Sequence, residues 1–594
     1  MTQRGTVVIA LSLLFFVSGY SRQDDIRVLA GLSLGQRPSA APANVIVSRA
    51  TRSGAETDSL GLKIDTVFAE WKYPQSPGGA IAIVKDGRLI FMKGYGCADL
   101  ENAVAMTPST KVYMASISKQ FTGYCVARLI GDGKLNLNDD IRKYIPEMQS
   151  FGHAIKVKDL VYHKSGLRDL YGLLPLTGFR LNGCLSNDDV LKVLYKQRDL
   201  NFLPGAEWEY SNTNYFFLAE IVKRITRESL KTWAERVIFE PLGMKNTLFV
   251  DSIETLVPLR AKSYHQNRDG SFSNDPFLDV TVGHTGLYST AEDMSKWLLH
   301  LRDLYRRKDP LLAMMLHTDT LINGRAIDNY SFGLFKTSQK AMHYWHRGSL
   351  FGFKSMLSYY PEDDFGLVIL GNVQTFNRIR YAREVTRLLH PAIAQESPVV
   401  QTAPVLNDSL KNKQILVDPS TLRKYEGSYA LDSMTVYMVR VRDHSLSIAE
   451  VRSSRTTDLV PISENEFRNH ENSLLISFSE NNQGVVEKMT YQTSSTKATG
   501  VRAKVLSYAQ EQEIIGEYYN DELEISIRIE KTPRGLEASN LALGKIDLYP
   551  TVEDQFRCDH DFFSCIILHR NANKNIDGFL MDGFRVRKLE FVKR

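Results

Sequence analysis

Cysteine is scarce in this chain, five among 594 residues. So few thiols exclude a disulfide-stapled scaffold and fit a disulfide-poor enzyme. Cys97, Cys125 and Cys184 stand alone in sequence, and Cys125 falls in line with Phe121 and Leu129, as a buried free thiol would. Cys558 and Cys565 are close enough to pair across a hairpin, although spacing alone does not prove a bond. Cys/His clusters with zinc-ligand spacing are missing too, so neither a metal nor another cofactor is expected. A dominant charge of one sign is absent. The formal net charge of +5 is small for this length and not gathered into a block, which gives no support to nucleic acid or a polybasic membrane anchor as partner. Long apolar runs are lacking apart from Val7 to Val17 (VVIALSLLFFV), which follows Arg4 and precedes Ser18-Gly19-Tyr20-Ser21. The run is too short for a comfortable membrane span, so no stable span is expected. A cationic start, a short apolar run and small residues read as a signal peptide, with an uncleaved anchor as the alternative. No cysteine follows that would carry a lipid. Export to the periplasm or the extracellular space is the expectation.

What is present divides into segments. Residues 1–21 are assigned to the signal peptide and 22–55 to a poorly ordered leader. A hydrolase domain is expected over 56–392, a Pro-rich linker over 393–417, and two β-repeats over 418–507 and 508–594. Gly78–Val84 and Arg88–Gly94 flank Lys85-Asp86-Gly87, and Asp-Gly between β-rich runs marks a hairpin. From Ser116 the periodicity predicts an amphipathic helix with Phe121, Cys125, Val126, Leu129 and Ile130 on one face, ended at Gly131-Asp132-Gly133. Strand character returns over Trp345–Tyr360 and Phe365–Leu370, and a helix closes the domain over Thr375–Leu389. Helices around an antiparallel sheet imply an α+β class. Beyond the linker the strands are short and internally repeated. Tyr425-Glu426-Gly427-Ser428-Tyr429 is answered by Ile515-Gly516-Glu517-Tyr518-Tyr519, and Glu466-Phe467 by Gln555-Phe556. Each copy has room for about eight strands, the size of a small closed barrel; one larger sandwich is the alternative.

Three strings carry chemistry. Ser116-Ile117-Ser118-Lys119 places an amine one helical turn from a hydroxyl, at a helix start whose amides can hold an oxyanion. A serine needs such a base to become a nucleophile, and a desolvated lysine, or a phenol beside its cation, can serve. Tyr210-Ser211-Asn212 follows a Pro204-Gly205 turn that aims a phenol into a cleft, with Asn212 offering its amide to substrate or to Lys119. His346-Arg347-Gly348 opens a strand-like run in which Gly348 leaves the backbone edge approachable and the amide of Ser349 joins that of Ser116 at the oxyanion. Ser494-Ser495-Thr496-Lys497, Tyr518-Tyr519-Asn520 and His284-Thr285-Gly286 repeat the three patterns without the same context.

With the segments Gly79–Val84, Met114–Thr122, His163-Lys164-Ser165-Gly166-Leu167 and Gly286–Asp293 added, residues from about 58 to 390 resemble the serine β-lactamase and penicillin-binding-protein superfamily. The resemblance is to its class C-like branch of D-aminopeptidases, carboxypeptidases and esterases. It implies Ser116 as nucleophile, Lys119 and Tyr210 as the proton-transfer pair, Asn212 as a substrate contact, and His346, Gly348 and Ser349 on the substrate-binding strand. β-Lactamases and carboxypeptidases carry lysine where His346 stands, so penicillins and peptide C-termini are expected to bind less well. The D-aminopeptidases of this branch also carry two small β-barrels after the catalytic domain. The expectation is a serine hydrolase acting through an acyl-enzyme on a small molecule or short peptide. The alternative is a catalytically quiet peptide or peptidoglycan sensor.

Overall fold

The computed structural model describes residues 54–594 except 181–182, 339–340, 392–414 and short stretches at 432–434, 443, 452–455, 472, 494–495, 504–505 and 552–553. The expected signal peptide, and nearly all of the expected leader and linker, lie outside the described residues, as does the serine pair of Ser494-Ser495-Thr496-Lys497.

The catalytic-domain sheet has seven antiparallel strands: β1 (Gly79–Lys85), β2 (Arg88–Tyr95), β3 (Tyr330–Ser331), β4 (Leu334–Thr337), β5 (His343–Leu350), β6 (Phe353–Tyr360) and β7 (Phe365–Gly371). Their spatial order is β3-β4-β5-β6-β7-β1-β2, so the first and last strands of the domain's sequence, β1 and β7, pair side by side. β1 is apolar at nearly every position because it is central and covered on both faces. Ala80, Ala82 and Val84 face the larger core, whereas Ile81 and Ile83 pack with Phe68, Tyr381 and Val385 in a second one. The β1–β2 turn puts Asp86 at φ 50° and Gly87 at φ 72°, the left-handed pair that a tight Asp-Gly hairpin requires. Helices α1 (Gly54–Val67) and α5 (Arg378–Leu389) flank the second core; α2 (Ser118–Gly131), α3 (Asn212–Thr226) and α4 (Ala291–Arg306) build the larger one.

α2 departs from expectation. Instead of one apolar face it is buried on almost every side, including Ser118, Lys119, Gln120 and Thr122. Phe121 packs 4.6 Å from Trp297 and 5.6 Å from Phe239. The polar residues that looked like a solvent face are paired inside: Trp297 Nε1 donates to Gln120 Oε1 at 2.6 Å, and Thr122 Oγ1 donates to the Gly283 carbonyl at 2.8 Å.

Two closed eight-stranded barrels follow, from Gly427 to Arg502 and from Gly516 to Lys593, rather than one sandwich. The repeat survives in detail, since Tyr429 donates to the Tyr425 carbonyl and Tyr518 to the Ile514 carbonyl, each four residues back. The first barrel has its own core around Tyr429, Phe467 and Phe478. The core of the second is continuous with that of the catalytic domain. Cys558 and Cys565 are buried there as free thiols, and Cys125 is likewise buried and free. Among the described residues, no helix is long and apolar enough to cross a membrane.

Candidate active site

Ser116 lies in a short 3-10 turn, Ala115–Ile117, just ahead of α2. Ala115 adopts φ 46°, a left-handed conformation that a non-glycine residue keeps only when its surroundings impose it. Three bonds do so. Ser118 Oγ donates to the Ala115 carbonyl at 2.6 Å, Ser355 Oγ to the Met114 carbonyl at 2.7 Å, and the Met114 amide to the Leu287 carbonyl at 2.8 Å. The hydroxyl of Ser116 is thereby held out of the core at its edge.

Lys119 is fully buried, with Nζ 3.1 Å from Ser116 Oγ, 2.8 Å from Asn212 Oδ1 and 2.8 Å from the His284 carbonyl. Those distances serve both protonation states. An ammonium donates to all three oxygens; a neutral amine donates to Asn212 and His284 and receives the Ser116 proton. Burial pushes the amine well below the ordinary lysine range, Asp169 opposes that shift, and Arg585 adds to it. Lys119 Nζ also sits 4.9 Å from the centre of the Tyr210 ring. Burial holds the Tyr210 phenol above its usual value, partly offset by its hydrogen bond with Ser116 and by Arg585. Burial thus favours the uncharged form of both groups, the free amine and the protonated phenol.

Asn212 does not point its amide at open cleft. Oδ1 accepts from Lys119 and Nδ2 donates to Asp169 Oδ2 at 3.0 Å, an orientation that donor and acceptor chemistry dictates. Its place is that of a strut between Lys119 and a carboxylate, the Lys119 contact being one of the two that its amide was expected to make. Asp169 is completely buried and also accepts from the Asn212 and Tyr171 amides at 2.8 and 2.9 Å.

His346 is 2 % exposed, and burial, with the neighbouring Lys119, holds its imidazole down at about 3. Nδ1 lies 2.9 Å from the Arg347 carbonyl, so Nδ1 carries the proton and Nε2 is a bare acceptor, buried and unbonded. Gly348 has a different reason from the one expected. A Cβ there would come 2.2 Å from both the Met114 carbonyl and Ser355 Oγ, so the backbone ahead of Ser116 itself fills that space. The edge is open nonetheless. β4 pairs only with His343, Tyr344 and Trp345, leaving 346–350 without a neighbour on that side. The β5–β6 hairpin closes on Leu350 and Phe353 across two residues, so Leu350, Gly348 and His346 bond inward to β6. By alternation, Arg347 and Ser349 turn their amides and carbonyls to the open edge. The Ser349 side chain is exposed and accepts from Lys354 at 2.8 Å.

Ser116, Lys119, Tyr210 and Asn212 thus converge, with His346 6.3 Å from Tyr210 between ring centres and Gly348 beneath the turn. Three further groups join them without having been anticipated: Asp169, His284 and Arg585 of the second barrel, whose guanidinium lies 3.3 Å from Asp169 and 4.9 Å from the Tyr210 ring. His284 had a signal, since its His-Thr-Gly triplet resembles that of the strand; what it contributes is its carbonyl. Asp169 stands just past His163–Leu167 with nothing in sequence to mark it. Among the described residues, no cluster of His, Cys, Asp or Glu could hold a metal ion.

The fold and this arrangement define a class of α+β proteins with a serine at a helix start, a buried lysine one turn on, a tyrosine on the hydroxyl and an open strand edge alongside. Residues 65–390, more than half the chain, match the Beta-lactamase family model, and the chain belongs to that family. It is similar to Protein flp of Staphylococcus aureus strain MRSA252, 27% identical over 371 residues, which is 59% of this chain and 70% of flp. It is also similar to a D-aminopeptidase of Gluconobacter oxydans strain 621H, 27% identical over 319 residues, 53% of this chain and 60% of that protein. Among solved structures, the octameric penicillin-binding protein homologue from Pyrococcus abyssi matches 75% of this chain and 100% of its own, with 20% identity and a TM-score of 0.49.

Proposed function

We propose that the chain is an exported serine hydrolase working through an acyl-enzyme. Its substrates are small amides or short peptides, those built on D-residues first, and carboxylic esters second, with weak or no action on β-lactams. The observation that carries this is Lys119: a buried amine 3.1 Å from Ser116 Oγ, its other two positions taken by protein oxygens. Nothing in packing requires an amine at the centre of a core, whereas deprotonating a serine does. The similarity to a D-aminopeptidase supports the amide preference. The neutral His346 supports weak β-lactam recognition, because it offers no fixed cation to a carboxylate.

Ser116 Oγ attacks the acyl carbon as its proton passes to Lys119, whose free-amine form burial favours. The carbonyl oxygen takes the negative charge and is held by the amides of Ser116 and Ser349. Tyr210, protonated and bonded to Ser116, relays the proton to the leaving nitrogen or oxygen as its bond to the acyl carbon breaks. Water, deprotonated by the same pair, adds to the ester and Ser116 departs with its proton restored.

Intact-mass measurement after exposure to a fluorophosphonate, and separately to a penicillin, tests the reading on wild type and Ser116→Ala side by side. One phosphonate adduct, lost in the variant, is the expected result, with little or no penicillin adduct. No adduct with either reagent would put the sensor in its place. Export is tested by the mass of secreted protein, which should lack residues 1–21.

A further inference from the structure

The hairpin between β8 (Ile576–Gly583) and β9 (Val586–Lys593) of the second barrel is built into the wall of the active site. Its tip residue, Arg585, adopts φ 52°. Its carbonyl accepts from the Asp169 amide at 3.1 Å and from Asn201 Nδ2 at 3.1 Å, while Asn201 Oδ1 accepts from the Arg587 amide at 2.8 Å. Gly172 has no room for a side chain, because a Cβ would come 2.1 Å from the Phe584 carbonyl. Arg587 then bonds Glu207 at 3.0 Å and Glu209 at 2.8 Å, on the loop that ends in Tyr210. From this clamped backbone the Arg585 side chain reaches Asp169 at 3.3 Å and lies over the Tyr210 ring.

We propose that Arg585 makes the second barrel part of the catalytic centre, steadying the Asp169–Asn212–Lys119 chain and setting a permanent positive charge beside the two groups that move the Ser116 proton. This rests on the serine-hydrolase reading above. The chain of bonds is continuous: Arg585 to Asp169, Asp169 to Asn212, Asn212 to Lys119, Lys119 to Ser116. The charged groups that act on Lys119 and Tyr210 are Asp169, Arg585 and, on Tyr210 only, Arg347. Burial keeps the surrounding rings His163, His284 and His346 neutral, and it keeps Tyr215 and Tyr330 protonated. Asp169 favours the Lys119 ammonium and opposes the Tyr210 phenolate; Arg585 does the reverse in both cases. Removing Arg585 therefore leaves Asp169 unopposed and pulls Lys119 back towards its protonated, unreactive form.

The test is the rate at which a fluorophosphonate labels Ser116 in the full chain, followed by intact mass from acid to alkaline pH, with thermal melts of each protein. Arg585→Met should shift the acid limb of the profile upward by roughly one pH unit, about a tenfold loss of rate on that limb. Arg585→Lys should keep the limb near the wild-type position. Arg587→Ala, which loosens the docking and spares the charge, should lower the melting temperature without moving the limb. If the Met variant does not melt cooperatively, Arg585→Gln, which keeps donors for Asp169 and removes the charge, decides in its stead. A labelled wild type whose limb stays fixed in the uncharged variants overturns the role of Arg585 alone. A wild type that never labels takes down the hydrolase reading with it.

Discussion

Lys119 can receive a proton from Ser116 only while its amine is neutral, and burial shifts it towards that state. Two of its three partners, Asn212 Oδ1 and the His284 carbonyl, accept from it whatever its charge, so proton arrival changes only the bond to Ser116. Lys119→Met removes the base and little volume, and should lower kcat/KM for any substrate by about 10²–10⁴-fold. A rate within threefold of wild type would move the base elsewhere. His346 sets the other property argued from a single side chain. Its buried, unprotonated imidazole cannot anchor a carboxylate. His346→Lys gives this strand a longer side chain that can carry a cation to the cleft, and charge-assisted bonds are worth ~1.5–3 kcal/mol, so penicillin adduct formation should rise roughly tenfold or more. Equal adduct rates in the two proteins would show that β-lactams are excluded by shape rather than by charge.

At the scale of elements, the Ser116 turn and β5 form one unit. The strand runs so close to the Met114–Ala115 backbone that Gly348 has no space for a methyl. Gly348→Ala should cost about 1–3 kcal/mol through overpacking and shift the Ser116 turn, seen as a lower melting temperature together with slower fluorophosphonate labelling. Lost stability with an unchanged labelling rate would mean that the turn is held independently of the strand. The elements that sequence alone made legible are those whose determinants are local. The β1–β2 hairpin follows from Asp86-Gly87, and the Ser116–Lys119 spacing follows from one helical turn. The two barrels were visible because their tyrosine and phenylalanine positions recur. α2 was misread as amphipathic because polar side chains wired to one another inside a core have the same spacing as a solvated face. Asp169, His284 and Arg585 escaped notice for a related reason. Asn212 lies 43 residues from Asp169, Lys119 is 165 from His284, and Arg585 is 416 from Asp169. Only the folded chain brings such groups together.

For the whole molecule, the second barrel and the catalytic domain share a core and a buried charged contact, whereas the first barrel has a core of its own. Arg168, 2 % exposed, bonds Glu522 at 2.8 Å, Gln197 at 3.1 Å and the carbonyls of Arg587 and Lys588. Arg168→Ala leaves a buried carboxylate unpaired and should cost about 3–5 kcal/mol in denaturant unfolding, with catalytic domain and second barrel losing stability together. Separate transitions would mean that the interface is not one cooperative unit. The same compactness predicts a response to acid. Burial depresses five histidines of the catalytic domain: His343 and His346 to about 3, His163 and His284 well below the ordinary range, and His300 below it. In the unfolded chain each would titrate near 6.5. Over the interval between, the unfolded state binds protons that the folded state refuses, so stability complete above about pH 6.5 is lost as pH falls towards the folded values. Each histidine contributes a slope of up to about 1.4 kcal/mol per pH unit. Asp159 and Asp279, which burial raises, work in the opposite sense, but they are two groups against five. Thermal melts should therefore show the catalytic domain losing stability steadily as pH is lowered from neutral, before most exposed carboxylates begin to protonate. Replacing His343, which lies away from Ser116 and stacks 4.2 Å from Tyr360, by Phe should flatten that fall without changing the labelling rate. A melting temperature independent of pH across the interval would mean that these imidazoles take up protons in the folded state as readily as in the unfolded one.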